Sequence, residues 1–323
     1  MYNDFLPSRS RENNIFFNFQ NTQGLDVFSF DRPGLVLIIF EKSKLDSLPD
    51  TFLKYKNHFK NISIYDCGRL CSFEELNTIL EFFKSKGILP FIVGSECEPI
   101  SKYASLHQKN IYHFSNQIFY TNTDSAPVEQ KYLGYQRHLC DYDDIMEIES
   151  YHQNSMSLGK LRTYGYMTEP VLRDCNLVIF NSNVIRASDC SENLECLPTG
   201  LNAEEICQIF RYLGTGTDLD AIFIDDTNLS FKSGHLIAEA FWYFAEGFNI
   251  RMNDHPSKNS DFSEFVVDST EHGEFSFVKN NQSQRWWLKK QGVYNIHYLA
   301  CAFEEYQLSI QNEIPERLQK FLM

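Results

Sequence analysis

This 323-residue chain contains no Cys-x-x-Cys pair, although it holds nine cysteines. Their number is odd and their positions are scattered: Cys67, Cys71, Cys97, Cys140, Cys175, Cys190, Cys196, Cys207 and Cys301. That spacing argues against a zinc site and against a disulfide framework, and it fits reduced thiols in a cytoplasmic protein. No apolar run reaches the roughly 18 residues that crossing a bilayer requires. Residues Met1 to Asn14 are polar and charged, with none of the apolar stretch that a signal peptide carries. A soluble, cytoplasmic protein with no membrane contact is the expectation. Basic residues are also scarce: 29 Lys and Arg face 43 Asp and Glu, a formal net charge of −14. Without a Lys/Arg-rich run, such a surface repels phosphate backbones, which argues against nucleic acid as a partner.

Apolar residues are plentiful. They make up 43% of the chain, and its 28 Phe and 17 Tyr supply much of a large core. This composition is that of a globular protein, and the chain is expected to form one α/β domain over residues 1–323. Residues 1–30, rich in Asn and Phe, are expected to be irregular.

Short apolar runs bounded by turns predict buried strands at Gly34 to Phe40, Ile62 to Asp66, Ile88 to Val93, Asn110 to Phe114, Leu177 to Phe180 and Ala221 to Ile224. Helices are expected between them. The first opens at Ser72, with Glu75 in capping-box position, and ends near Lys86 with Gly87 as its C-terminal cap. Others are expected near Tyr103 to Gln108, from Asp144 to Lys160, from Ala203 to Leu213 and from Gly234 to Ile250. No regular element is assigned between residues 115 and 143. Phe262 to Val267 and Gly273 to Lys279 read as a closing pair of strands, and 295–323 as one amphipathic C-terminal helix. Alternating strands and helices predict a three-layer αβα arrangement, a mostly parallel sheet with helices on both faces. In such sheets, sites lie beyond the carboxyl ends of the strands.

Four strand ends, taken together, are suggestive: Val93-Gly94-Ser95-Glu96, Phe114-Ser115-Asn116-Gln117-Ile118-Phe119, Phe180-Asn181-Ser182-Asn183, and Ile224-Asp225-Asp226-Thr227-Asn228. In order and spacing they resemble the arginase, agmatinase and formimidoylglutamase (ureohydrolase) superfamily. That family has a Gly-Gly-x-His turn, an Asp-x-His-x-Asp strand end, an Asp-x-Asp strand end and a later acidic residue. The likeness is to a divergent bacterial branch. It is carried further by Leu133 to Gln136, Glu169 to Asp174, Val184 to Asp189, Ala203 to Gln208, Gly234 to Ala238 with Trp242 to Phe244, and Ser283 to Trp287. These stretches span roughly residues 60 to 290.

The resemblance implies two Mn²⁺ ions bridged by carboxylates and a water. The metals lower the water's pKa, and the hydroxide attacks a guanidino or formimidoyl carbon. At the matching positions, however, Glu96 stands in place of the first His ligand. Ser115, Gln117 and Phe119 stand in place of Asp-x-His-x-Asp, and Asn181 and Asn183 in place of Asp-x-Asp. Asp226, or alternatively Asp225, falls at the later acidic position. One carboxylate in six cannot balance two divalent cations, and Phe cannot ligate at all.

Two readings follow. In the first, the dinuclear site is lost, no cofactor is expected, and the protein is a pseudoenzyme that binds a protein partner, a second copy of itself or a small ligand. In the second, it is a hydrolase of guanidino or formimidoyl compounds with a rearranged Mn²⁺ site built from Glu96, Asp189, Asp225 or Asp226, and Asp124. Simpler roles compete at each residue. Glu96 suits a solvated turn, and Asn181 and Asn183 suit backbone caps. Arg186 and Asp189 suit an internal ion pair. Asp225 and Asp226 suit an acid/base pair, a substrate-ammonium contact or a helix cap. His113, His138 and His235 are isolated, and Cys97 has no neighbouring base. Trp286 and Trp287 point to opposite faces of a strand, one to the core and one to the surface or an interface.

Overall fold

A computed structural model describes residues 33–40, 43–45, 47–70, 76–119, 128–151, 155–190, 197–227, 229, 233–258, 261–292 and 295–323. The expected irregular segment 1–30, the helix start at Ser72 and Glu75, Asp124 and Asn228 lie outside these residues.

Eight parallel strands form the main sheet. In chain order they are β1 (Gly34–Phe40), β2 (Ser63–Leu70), β3 (Ile88–Gly94), β4 (Ile111–Phe114), β5 (Gln130–Tyr135), β6 (Met156–Ser157), β7 (Leu177–Asn181) and β8 (Ala221–Asp225). Across the sheet the order is β2-β1-β3-β8-β7-β4-β5-β6. The helices of this part are α1 (Leu48–Phe52), α2 (Leu76–Ser85), α3 (Glu98–His107), α4 (Tyr142–Tyr151), α5 (Leu158–Thr163), α6 (Thr168–Arg173), α7 (Ala187–Cys190), α8 (Ala203–Thr215) and α9 (Gly234–Ile250).

The strands bury side chains on both faces, as continuous apolar runs require. Leu35, Leu37, Phe91, Phe180 and Ile224 face one layer, packing with Phe210 of α8 and Phe241 and Phe244 of α9. Val36, Ile38, Ile92, Ile179 and Phe223 face the other, against Ile79 and Phe83 of α2 and Tyr103 of α3. The fold is the expected three-layer αβα one.

Helices α8 and α9 cross in close backbone contact. A Cβ added at Gly214 would lie 2.2 Å from the Phe244 carbonyl oxygen, and one at Gly247 would lie 2.1 Å from that of Arg211. Only glycine permits backbones this near. The α8 start is fixed by a capping box between Asn202 and Glu205.

Three expectations are corrected. The helix from Asp144 to Lys160 is interrupted. Met156 pairs with Leu133 as β6, and the Ser157 hydroxyl then accepts from Lys160 N to start α5. Strand β5 had no assignment, because its Tyr-Leu-Gly-Tyr run lacks the β-branched residues of the other strands. The C-terminal part continues as β11 (Trp286–Gln291) and β12 (Ile296–Cys301), then α10 (Phe303–Ile310) and α11 (Glu316–Leu322), where one helix was expected over 295–323. The first helix ends where Asn312 turns into the left-handed region, with φ of +62°, and Glu313 N donates back to the Leu308 carbonyl; Pro315 then caps the second.

With β9 (Phe262–Ser269) and β10 (Gly273–Asn280), these strands form a separate antiparallel sheet, ordered β12-β11-β10-β9. Trp286 and Trp287 do face opposite sides, yet both are buried, at 7% and 1% exposure. Trp286 stacks on Tyr306 of α10, with ring centroids 4.7 Å apart. Trp287 lies under the Arg173 guanidinium, 4.6 Å from the ring centre.

Charges join the two sheets. Arg173 donates to the Trp286 carbonyl and pairs with Glu169, and Arg285 bridges Glu169 and Asp254. Burial raises the Glu169 pKa, but the Arg173 and Arg285 guanidiniums outweigh it and hold the carboxyl below its usual range.

Gly247→Ala is expected to cost about 1–3 kcal/mol by overpacking the crossing. Urea unfolding will read this as a lower midpoint with an unchanged slope. An unchanged midpoint would mean that the helices separate freely.

Candidate functional site

Strands β3, β8, β7 and β4 are neighbours in the sheet, so their carboxyl ends line one edge. Gly94 and Asn181 both pair in register with Asp225, and Phe114 pairs with Phe180. The sheet thus brings together the strand ends that carry Glu96, Ser115, Gln117, Asn181, Asn183, Asp225 and Asp226.

Ser115, Asn181 and Asn183 bond within this group. The Asn183 carboxamide oxygen accepts from Ser115 Oγ at 3.3 Å and from Asn116 N at 3.1 Å. The Asn181 side chain accepts from Asn183 N at 3.1 Å, capping the short turn at Ser182–Val184. Ser115 Oγ in turn accepts from Gln117 N. This is the turn chemistry that Asn and Ser perform readily. Glu96 and Gln117 are exposed. Phe119 packs edge-on to His113, with centroids 5.3 Å apart. His113 is fully buried and stacked on Tyr132, and burial pushes its pKa down to about 4. It is a neutral core residue.

The acids differ in what they do. Asp226 is buried, and its Oδ2 accepts from Ser43 Oγ at 2.6 Å and Lys44 N at 2.8 Å, tying the segment after β1 to the end of β8. Asp189 accepts from Arg186 Nε, from Ser188 Oγ and, through Oδ2, from Ala203 N at the first turn of α8. Burial raises the Asp189 pKa, but these donors outweigh it and leave the pKa lowered. The internal pairing of Arg186 with Asp189 is present. Asp225 is half-buried and accepts from Thr227 N and Oγ1. Burial pushes its carboxyl up, and the charge of Asp226 adds to this against the pull of the Thr227 bonds. The Cys97 thiol is raised by burial and then by the Asp225 charge, so it is not an activated nucleophile.

Two contributors escaped sequence reasoning. Ser43 lies 183 residues from its partner Asp226, a distance no local pattern spans. Asn116 stands within the strand-end stretch Phe114 to Phe119 but matches none of the ligand positions. It is 6% exposed, and its Oδ1 has no hydrogen-bond partner among the described residues.

The six positions matched to metal ligands offer one carboxylate, one hydroxyl, three carboxamides and a phenyl ring. That donor set does not fit a pair of Mn²⁺ ions, whose charge calls for several carboxylates. Among the described residues, no group of three or more His, Cys, Asp or Glu side chains is placed to hold a metal ion. No described helix is long and apolar enough to cross a membrane.

No protein-family model matches the chain, and no curated protein does. Solved structures do. An oxidized formiminoglutamase from Trypanosoma cruzi superposes with a TM-score of 0.57 at 15% identity, over 71% of this chain and 98% of that one. The same enzyme with Mn²⁺ gives 0.55 at 14%, over 69% and 95%. Formimidoylglutamase from Bacillus subtilis gives 0.54 at 14%, over 69% and 90%. At such identities the likeness speaks for the fold, and the fold is the arginase-like α/β one that the strand-end motifs implied.

Asp189→Ala leaves Ala203 N and the Arg186 guanidinium without their acceptor and is expected to cost about 1–3 kcal/mol in urea unfolding. Because the folded pKa is the lower one, this contribution is complete above the ordinary carboxylate pKa and fades as pH falls through the folded value. An equal loss at all pH values would refute the ionised role. Asp225→Asn should act oppositely. Its folded pKa is raised, so the native charge is a burden that sets in as pH rises. The variant should be more stable at neutral pH and no more stable in acid, read as melting temperature against pH.

Proposed function

We propose that this arginase-like protein holds no dinuclear manganese centre and acts as a pseudoenzyme, binding a protein partner, a second copy of itself or a small ligand at or near the strand-end edge. The observation that carries this reading is the state of Ser115, Asn181 and Asn183. Where the resemblance puts the family's metal-bridging carboxylates, three neutral side chains stand, and their oxygens are engaged in turn hydrogen bonds. An asparagine oxygen that already accepts from Ser115 and Asn116 has little left for a cation, and it lacks the charge to bridge two. Without the metals, no water at this edge is acidified enough to supply hydroxide near neutral pH. Binding is supported by Asn116 Oδ1. A buried acceptor without a partner costs about 1–3 kcal/mol, and such groups mark places where a ligand or partner can supply the missing donor. A cytoplasmic location is part of the reading, supported by the free thiols of Cys97, Cys140, Cys175, Cys190, Cys207 and Cys301.

The second reading is a hydrolase of guanidino or formimidoyl compounds with a rearranged Mn²⁺ site. It is favoured by Asp225, a half-buried acid beside the Asn181 strand end, and by the T. cruzi structure of the same fold with Mn²⁺. It needs at least three acids among Glu96, Asp189, Asp225 or Asp226, and Asp124 to converge on one point.

Elemental analysis separates the two. After incubation with excess Mn²⁺ and desalting, the folded protein is expected to retain almost none. Stoichiometric manganese would overturn the proposal, and release of urea or formamide from candidate substrates would then be measured.

A further inference from the structure

A cavity of about 370 Å³ lies away from the strand-end edge, between the sheet's outer strand β6 and the C-terminal helices. Its size is that of a small-molecule site. Met156 of β6, Met167 and Leu308 of α10 give it apolar walls, and Tyr164 and Tyr166 stand at right angles to each other beside them.

The charges around it are not balanced evenly. Lys320 is paired with Glu316 at 2.8 Å and donates to the Glu149 carbonyl, and Lys160 faces Glu149 at 3.6 Å. Arg317 is held in a buried two-pronged pair with Glu305. Arg317 and Lys320 therefore have anions of their own, while Lys160 shares Glu149 with Arg137, which lies nearer at 2.7 Å. The Glu313 carboxylate has no ion-pair partner among the described residues, and neither tyrosine hydroxyl has a hydrogen-bond partner there. Burial raises the Tyr166 phenol pKa, and the nearby charges of Glu305 and Glu304 raise it further.

A spare carboxylate, two aromatic faces and an apolar floor together recognise one chemistry. Ammonium groups are attracted to the faces of aromatic rings and to carboxylates, while a hydrocarbon body fills the remainder. We propose that this cavity binds a small organic cation, a primary amine carrying an apolar or aromatic body. Its ammonium pairs with Glu313 and lies against the tyrosines, and its body rests on Met156, Met167 and Leu308. A carboxylate ligand would meet Glu313 itself and a Lys320 already paired with Glu316.

Isothermal titration of the full chain with three probes of nearly equal shape tests this: phenethylamine, 2-phenylethanol and 3-phenylpropionate. Saturable binding is expected for the amine alone. Glu313→Gln should weaken it about tenfold, the measure of one charge-assisted contact. Tyr166→Phe should weaken it less. Glu313 is exposed, so its variant should melt like the unaltered protein, which separates lost binding from lost fold. Asn183→Ala, at the strand-end edge, should leave amine binding unchanged. No saturable binding of the amine, tighter binding of the acid, or full affinity in Glu313→Gln would each overturn the proposal.

Discussion

Parallel strands hydrogen-bond in a fixed register, and the pairing of β3, β8, β7 and β4 makes Gly94, Asp225 and Asn181 end side by side. Residues more than 100 positions apart in the chain become neighbours only through this alignment. The strands hold it because both faces are apolar and both are covered, by α8 and α9 on one side and by α2 and α3 on the other. A sheet buried on two faces cannot slip by one residue without exchanging its layers. The position of the candidate site is thus a consequence of burial, and it survives whatever chemistry its side chains keep or lose.

The chemistry at that edge is governed by saturation. A metal site needs acceptors with lone pairs and charge to spare. Here Asn183 accepts from Ser115 and Asn116, Asn181 accepts from Asn183, Asp226 accepts from Ser43 and Lys44, and Asp189 accepts from three donors. Each bond stabilises a loop. Asp225 is the acid left in an unfavourable setting, with its charge opposed by burial and by Asp226. Elsewhere buried charge is used as structure. Glu169, Arg173, Arg285 and Asp254 connect helix α6 to the antiparallel sheet, and Glu169 and Arg285 each hold two partners, so the loss of one outer member leaves the other in place.

Strands β1, β3, β7 and β8 were legible because a continuous apolar run of four to seven residues has few other uses. Helix α9 was legible to the residue, from Gly234 to Ile250, because a mostly apolar run of 17 residues is too long for a strand. Strand β5 was not. Its Gln-Lys start and a glycine with φ of +85° break the apolar run, and the element forms because β4 and β6 flank it. The segment after residue 285 misled for a similar reason. Trp286, Trp287 and the alternation from Ile296 to Cys301 carry a strand pattern, but it completes only when β10 and α10 cover it.

At the candidate site, the residue types were readable and the partners were not. That Asn and Ser stand where carboxylates are expected is a fact of the chain alone, and it sets the charge available for a metal. So does the run of short apolar strands that dictates a parallel αβα sheet, since hydrophobic periodicity is local information. What each polar atom does was decided by tertiary structure. Asp226 could have been a ligand grip, and Asp189 an acid, until Ser43 and Ala203 were brought to them from 183 and 14 residues away. Hydrogen bonds between distant segments have no signature in sequence, because they depend on which strand ends meet, and that is settled only when the whole sheet has formed.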